Sequence, residues 1–225
     1  QTYLQQILTH CQEYVGTLHG QLAIQNELPL GKGMGSSTAL VIAIARCLLG
    51  EENREHALAI EDAVNPGHSG IDFACIWENQ PIMYTKDTLP EALEIDVNLL
   101  VNAVLIDTGA PNEVTAELVE WIQSREEDLF DTFVDLRMCT ERIASGEPLM
   151  EVIPDHHKAQ IALGVVPPAV QELIASIEQT GGAAKVIGAG GRTGGGGMVL
   201  ALHPEPGRIT DIAQNAGLES WSVDQ

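Results

Sequence analysis

Lysine and arginine are scarce: 11 of them stand against 32 aspartates and glutamates, a formal net charge of −21 over 225 residues. Phosphate backbones and anionic lipid surfaces are held by basic patches, so this balance argues against nucleic acid and against a membrane surface as partners. An anionic ligand would have to be met locally, by helix N-termini, a bound metal and a few basic residues. The acid excess is compatible with salt-rich surroundings. Long apolar runs are missing too. No stretch reaches the length of a membrane span, and no secretory signal is visible at the start. Cysteine is limited to Cys11, Cys47, Cys75 and Cys139, widely spaced and without a C-x-x-C pair. That spacing speaks against a disulfide framework or thiolate metal site and for buried free thiols in a reducing cytoplasm. Internal repeats, heptad runs and long linkers are absent as well.

What the chain does have is a 44% hydrophobic composition, enough for a core, and a distinctive glycine turn at Pro29-Leu-Gly-Lys-Gly-Met-Gly-Ser-Ser-Thr38. A run that reads as a strand leads in and an apolar helix leads out. Such a turn, feeding a helix whose first amides lack intrahelical acceptors, is an anion cradle. Two common cradles do not fit. A Walker A loop has Lys-Ser/Thr after its last glycine, and Lys32 stands too early. A Rossmann turn needs G-x-G-x-x-G, and Gly31, Gly33 and Gly35 give G-x-G-x-G. A plain strand-to-helix turn is the alternative reading.

Taken in order, residues 2–18 read as an amphipathic helix and 21–28, with Leu22, Ile24 and Leu28 alternating, as a half-buried strand. Residues 37–49 read as a helix apolar all round and therefore buried, ended by Gly50. A helix over 53–64 carries Glu61 in its last turn. The Pro/Gly turn at 65–70 leads to an apolar segment ending at Trp77, and strands follow at 82–85 and 101–106. Helices are then expected at 112–124, 125–145, 147–163 and 168–180, and a strand at 184–187. A second glycine loop covers 188–197. A strand at 198–202, a helix at 208–216 and a strand at 219–223 close the chain. The composition shift near 107–111 places a domain boundary there, giving domains 1–108 and 109–225.

Four places in this order resemble the GHMP kinases, the small-molecule kinases of galactose, homoserine, mevalonate and phosphomevalonate. The first glycine loop is similar to the family's second motif. Ser69-Gly70-Ile71-Asp72 resembles a segment of the mevalonate kinases. Val104 to Gly109 is similar to the strand and threonine that follow there. Lys185 to Gly197 resembles the third motif, expanded by Arg192 and Thr193, and Leu163-Gly164-Val165 ahead of it fits too. The resemblance spans nearly the whole chain. Nothing like the family's first motif precedes residue 29, so either an upstream segment is missing or the resemblance is to an incomplete enzyme, and the site read from this chain is expected to be partial.

The resemblance implies an α+β protein of two domains, a ribosomal-S5-like one that binds ATP and a ferredoxin-like one, with the site in the cleft between them. It implies ATP and Mg²⁺, phosphorylation of a small-molecule alcohol such as mevalonate, and a cytoplasmic setting. A homodimer is kept among the expected states. Gly31, Lys32, Gly33, Met34, Gly35, Ser36, Ser37 and Thr38 would hold the nucleotide. Ser37 and Glu61 would hold the metal, which needs only one or two hard oxygens from the protein. Asp72 would accept the hydroxyl proton late, since an ordinary carboxylate is a weak base for an alcohol. Ser69, Gly70, Thr108, Gly190 and Gly191 would lie near the substrate.

The residues also have plainer readings: Ser37 an N-cap, Glu61 a solvated helix-end acid, Asp72 an N-cap, His68 a surface-loop histidine, His156-His157 ordinary surface, and the third motif a flexible hairpin. The rival functions are a related kinase of phosphomevalonate, of the mevalonate 3-hydroxyl or of a sugar, a nucleotide or metabolite sensor without turnover, and a non-catalytic fragment.

Overall fold

The structure, a computed structural model, describes residues 2–26, 33–86 and 88–223, and of Val97 only the backbone. It holds two compact units. The described residues of the first are 2–26, 35–86 and 88–94, and those of the second are 33–34 and 95–223.

The first unit is a helical group with one short hairpin. Helix α1 (Tyr3–Val15) starts from a capping box, in which Thr2 Oγ1 accepts from the Gln5 amide and the Gln5 side chain accepts from the Thr2 amide. Helices α2 (Ser36–Leu49), α3 (Arg54–Val64) and α4 (Ile71–Glu78) follow, and strand β1 (Ile82–Met83) pairs antiparallel with β2 (Glu91–Ala92). The core joins Ile7 and Cys11 of α1, Val41, Ile42 and Ala45 of α2, Ile60 of α3 and Phe73 of α4. Burying a side chain the size of Phe73 is worth about 1.5–3 kcal/mol, so this cluster fixes the mutual packing of the four helices.

Three expectations change here. Residues 21–26 fall outside every strand, with Leu22 and Ile24 exposed. Alternation marks a face that can be covered, but a strand also needs a ladder partner. Residues 27 and 28 lie outside the described residues. Helix α2 is not buried all round, because Ala43 and Cys47, one turn apart, face outward. Only Cys11 and Cys139 are buried thiols. Cys47 and Cys75 are exposed, and all four are free.

The second unit begins with a 3₁₀ turn (Val97–Leu100) and strand β3 (Ala103–Asp107). Helices α5 (Thr115–Gln123), α6 (Phe130–Ala144), α7 (Leu149–Leu163) and α8 (Pro168–Glu178) follow. Strands β4 (Ala183–Val186) and β5 (Met198–Leu202), helix α9 (Pro206–Asn215) and strand β6 (Glu219–Ser222) complete it. The sheet order is β4-β5-β3-β6, antiparallel throughout, with Leu105 opposite both Leu200 and Trp221. Strand, helices, strand, strand, helix, strand is the succession of a split βαβ unit.

The period-two alternation sorts the two sheet faces. Val104, Ile106, Ala184, Val186, Val199 and Ala201 meet Ile174 and Ile177 of α8 and Ile209 and Ala213 of α9. Ala103, Ala183 and Leu202, on the opposite face, meet Ile153 of α7.

The passage between units falls at Glu94 and Ile95, ahead of the 108/109 boundary expected from composition. Strand β3 pairs on both sides with strands far downstream, and composition carries no trace of that pairing. His156 and His157 are not ordinary surface either. His157 is buried and His156 partly so, because α7 packs against β4.

Candidate active site

Gly31 and Lys32 lie outside the described residues. Gly33 and Met34 group with the second unit, where a Cβ on Gly188 would stand 2.9 Å from the Gly33 carbonyl oxygen. The other predicted residues fall into one set in each unit.

In the first unit, α2 starts at Ser36 directly after Gly35, which takes a left-handed conformation (φ 65°), and no side chain caps the helix. Its first amides therefore have no acceptor inside the helix, and the positive end of the helix dipole adds to them. The N-cap position is Gly35 and Ser37 is already inside the helix, so Ser37 is not the N-cap; it is exposed, and its carbonyl accepts from the Tyr3 hydroxyl at 3.4 Å. A Cβ on Gly35 would stand 3.2 Å from the carboxyl carbon of Asp72. The glycine thus leaves room for that carboxyl group at the mouth of the cradle.

Asp72 sits in the first turn of α4, whose N-cap is Gly70, so Asp72 is not a cap. Burial of the carboxyl pushes its pKa above the usual 3.8, opposed by the charge of His68. The residue as a whole stays exposed, which screens and limits the effect.

Glu61 is 1% exposed, which overturns the solvated helix-end reading: it lies on the buried face of α3 with Ala57 and Ile60, while Asp62 and Ala63 of the same turn face water. Its Oε1 accepts from Thr38 Oγ1 at 2.7 Å and from Asn65 Nδ2 at 2.9 Å. Its Oε2 is buried with no hydrogen-bond partner. Asn65 Nδ2 also donates to the Tyr3 hydroxyl at 2.7 Å. A buried carboxylate normally has an ion pair, full hydrogen bonding or a metal. Here two neutral donors serve one oxygen, and no described residue forms an ion pair with it. The open Oε2 suits a hard divalent cation, which takes one or two protein oxygens and completes its shell with water and phosphate. Among the described residues no group of three or more His, Cys, Asp or Glu is arranged for a metal.

Ser69 and Gly70 lie in the turn before α4. Ser69 Oγ accepts from the Ile71 amide at 3.3 Å, and the Ser69 carbonyl accepts from Tyr84 Oη at 3.0 Å. Gly70 has φ 84° and no room for a side chain beneath the Tyr84 hydroxyl. Both line a cavity of about 600 Å³ that also takes in Arg54, His68 and Lys86. His68 lies in the loop before α4, where its Nε2 is 2.7 Å from Asp62 Oδ1.

In the second unit, Thr108 holds its own loop. Its Oγ1 donates to the Gly197 carbonyl at 2.7 Å and accepts from the Gly196 amide at 3.0 Å. Gly190 and Gly191 are buried, and the Gly191 amide donates to the Val165 carbonyl at 2.9 Å. The insertion in the glycine run is anchored and is no loose hairpin. Glu113 accepts from the Arg192 amide and from the amide and hydroxyl of Thr193, and the Arg192 guanidinium stacks 4.3 Å from the Trp121 ring. These hydrogen bonds hold the Glu113 carboxyl below the usual carboxylate range.

Residues 2–77 match the N-terminal domain model of the GHMP kinases. A mevalonate kinase of Archaeoglobus fulgidus is 26% identical over 198 residues, which cover 81% of this chain and 65% of that protein. The chain thus spans just under two thirds of that relative's length. The crystal structure of the Methanococcus jannaschii mevalonate kinase superposes with a TM-score of 0.71 at 15% identity, over 97% of this chain and 73% of that one. The Streptococcus pneumoniae phosphomevalonate kinase, solved with phosphomevalonate and AMPPNP, superposes with a TM-score of 0.66 at 15% identity, over 99% and 81%. The α+β fold is the one those kinases have.

Sequence reasoning missed Asn65 and Tyr3. Asn65 stands four residues after Glu61, a helical spacing that brings side chains together. Nothing in the sequence ties it to Tyr3, 62 positions away.

Proposed function

We propose that this chain belongs to a cytoplasmic small-molecule kinase that transfers the γ-phosphoryl group of ATP to the hydroxyl of mevalonate. The observation that carries the reading is the pair of carboxylates at the capless end of α2: Glu61, buried with one oxygen open, and Asp72, set against Gly35. Phosphoryl transfer asks a protein mainly for positioning and for neutralisation of phosphate charge. The amides at Ser36, Ser37 and Thr38 supply that neutralisation, and the Ser37 hydroxyl and Glu61 are the groups that would hold Mg²⁺. When bound, the ion supplies further charge neutralisation between the phosphates. Asp72 accepts the hydroxyl proton as the new bond forms, and partial burial brings it closer to the pKa a base requires. Ser69 and the cavity behind it position the alcohol. Thr108, Gly190 and Gly191 act by fixing the shape of their loop, since Thr108 bonds to Gly196 and Gly197 and the Gly191 amide is tied to the Val165 carbonyl.

Phosphomevalonate is the second reading. Arg192, held out on Trp121 by the anchored insertion, offers a positive group of the kind a phosphorylated substrate needs.

The test is ADP release from Mg-ATP with mevalonate, phosphomevalonate, homoserine and galactose offered in turn. Release with mevalonate alone supports the first reading, and release with phosphomevalonate alone transfers support to the second. Nucleotide binding without turnover on any of the four overturns the kinase reading in favour of a sensor.

A further inference from the structure

Glu61 does not stand by itself. A continuous hydrogen-bonded chain runs from the Ser37 carbonyl to the Tyr3 hydroxyl (3.4 Å), on to Asn65 Nδ2 (2.7 Å) and to Glu61 Oε1 (2.9 Å), where Thr38 Oγ1 closes it (2.7 Å). It ties together the first turns of α1 and α2 and the end of α3. The donor count is consistent: the Asn65 amide spends one N–H on Tyr3 and one on Glu61, and the Tyr3 hydroxyl accepts one bond and donates one. Both protein donors to the carboxylate converge on Oε1, and Oε2 is left buried and open. Two bonds to one oxygen fix the carboxylate plane, so the direction of Oε2 is set before anything binds. That is the arrangement by which an outer layer of polar groups tunes a metal ligand.

We infer that Asn65, braced by Tyr3, is a positioning residue that aims Glu61 Oε2 at a divalent cation. The inference rests on the metal reading of Glu61 given above. Asn65 touches neither nucleotide nor substrate in this account and acts only through the carboxylate.

Mn²⁺ titrated into the chain with ADP present, followed by electron paramagnetic resonance in 1 M KCl, reads the site directly. The salt suppresses diffuse attraction to the acidic surface. The chain should show one tight Mn²⁺ site that Glu61→Gln abolishes. Asn65→Leu, of similar volume, is expected to weaken it about tenfold, and Tyr3→Phe, which removes only the hydroxyl, about threefold. ADP affinity without metal should be unchanged in both. Asn65→Gln, which keeps the amide, should restore part of the loss. Circular dichroism melts check that each variant folds, and Tyr3→Phe decides the matter should Asn65→Leu not fold. If Glu61→Gln loses the site while the Asn65 and Tyr3 variants keep full Mn²⁺ affinity, the positioning role is overturned and the metal reading stands. If the parent chain has no tight site, or Glu61→Gln retains it, the metal reading falls and this inference falls with it.

Discussion

The backbone of Gly35 and the carboxyl group of Asp72 occupy adjoining space: a methyl group on the glycine would stand 3.2 Å from the Asp72 carboxyl carbon. Gly35 also has φ 65°, a conformation that costs an L-residue about 1 kcal/mol or more. Gly35→Ala is therefore expected to lower stability by about 1–2 kcal/mol and phosphoryl transfer by at least tenfold. Urea melts and steady-state ADP release measure the two effects. A variant that loses stability but keeps its turnover would show that the contact has no part in the chemistry.

Asp72→Asn is expected to abolish most turnover with nucleotide affinity nearly unchanged. It should also raise stability. The folded pKa of Asp72 lies above the unfolded value of 3.8, so the unfolded chain ionises first. The folded state is penalised as pH rises through that interval, and the penalty is complete above the folded pKa. The asparagine variant should thus melt higher than the parent at pH 7, with the gap closing below pH 3.8. Parallel melts at pH 3.5 and 7 check the sign.

Thr38→Val keeps the shape of the side chain and removes the hydroxyl that donates to Glu61. Withdrawing a donor from a buried carboxylate costs about 1–3 kcal/mol. The same substitution should raise the Mg²⁺ concentration needed for half-maximal activity, since the carboxylate loses one of its two anchors. Denaturant unfolding and a Mg²⁺ activation curve test the two effects separately.

Lys185 and His156, on facing sides of β4 and α7, set two limits on the pH range of the fold. Burial lowers the Lys185 pKa from 10.5 to about 8, and burial, followed by the charge of Lys185, lowers that of His156 from 6.5 to about 4. The charged lysine penalises the folded state fully below pH 8, and the penalty fades as pH rises toward 10.5. Lys185→Met should therefore stabilise the protein at pH 7, by on the order of 2 kcal/mol, and give no advantage above pH 10.5. Neutral His156 in the fold means that stability falls as pH drops from 6.5 toward 4, a loss that His156→Gln should remove. Thermal melts of parent and variants across pH 4–10.5 read both limits.

A surface carrying a net charge of −21 repels itself. Raising the ionic strength from about 0.1 to about 1 M shortens the screening length from about 10 to about 3 Å, so the melting temperature should rise with KCl over that range. A flat or falling salt profile would mean that the acids are already balanced locally.

The elements whose pattern is local could be read from the sequence. The helical spacing of α1, the glycines bounding α2, the third-motif loop and the strand at Met198–Leu202 stand where periodicity and turn chemistry place them. The features that escaped depend on partners distant in sequence. The alternation at 21–28 lacked a ladder partner in its described part, and Glu91–Ala92, too short to show a period, is a strand only because β1 lies beside it. At the site, the sequence marks Glu61, Asp72 and the cradle by motif. It does not show that Glu61 is buried, nor that Tyr3 and Asn65 meet beside it, because those facts come from the packing of α1 on α2 and α3.

The central place of β3 has a consequence for how the protein is made. Its hydrogen-bonding neighbours are Met198–Leu202 on one side and Glu219–Ser222 on the other, each more than ninety positions later in the chain. The sheet of the second unit has no closed form until almost all of that unit has been synthesised, whereas the described core of α1 to α4 is drawn from residues close in sequence, between Tyr3 and Trp77. Long-range strand pairing is slow, and unpaired edges are exposed to aggregation while they wait. On the ribosome Ala103–Asp107 has no ladder partner until Met198–Leu202 has emerged, which makes that apolar strand a segment in need of protection by a chaperone.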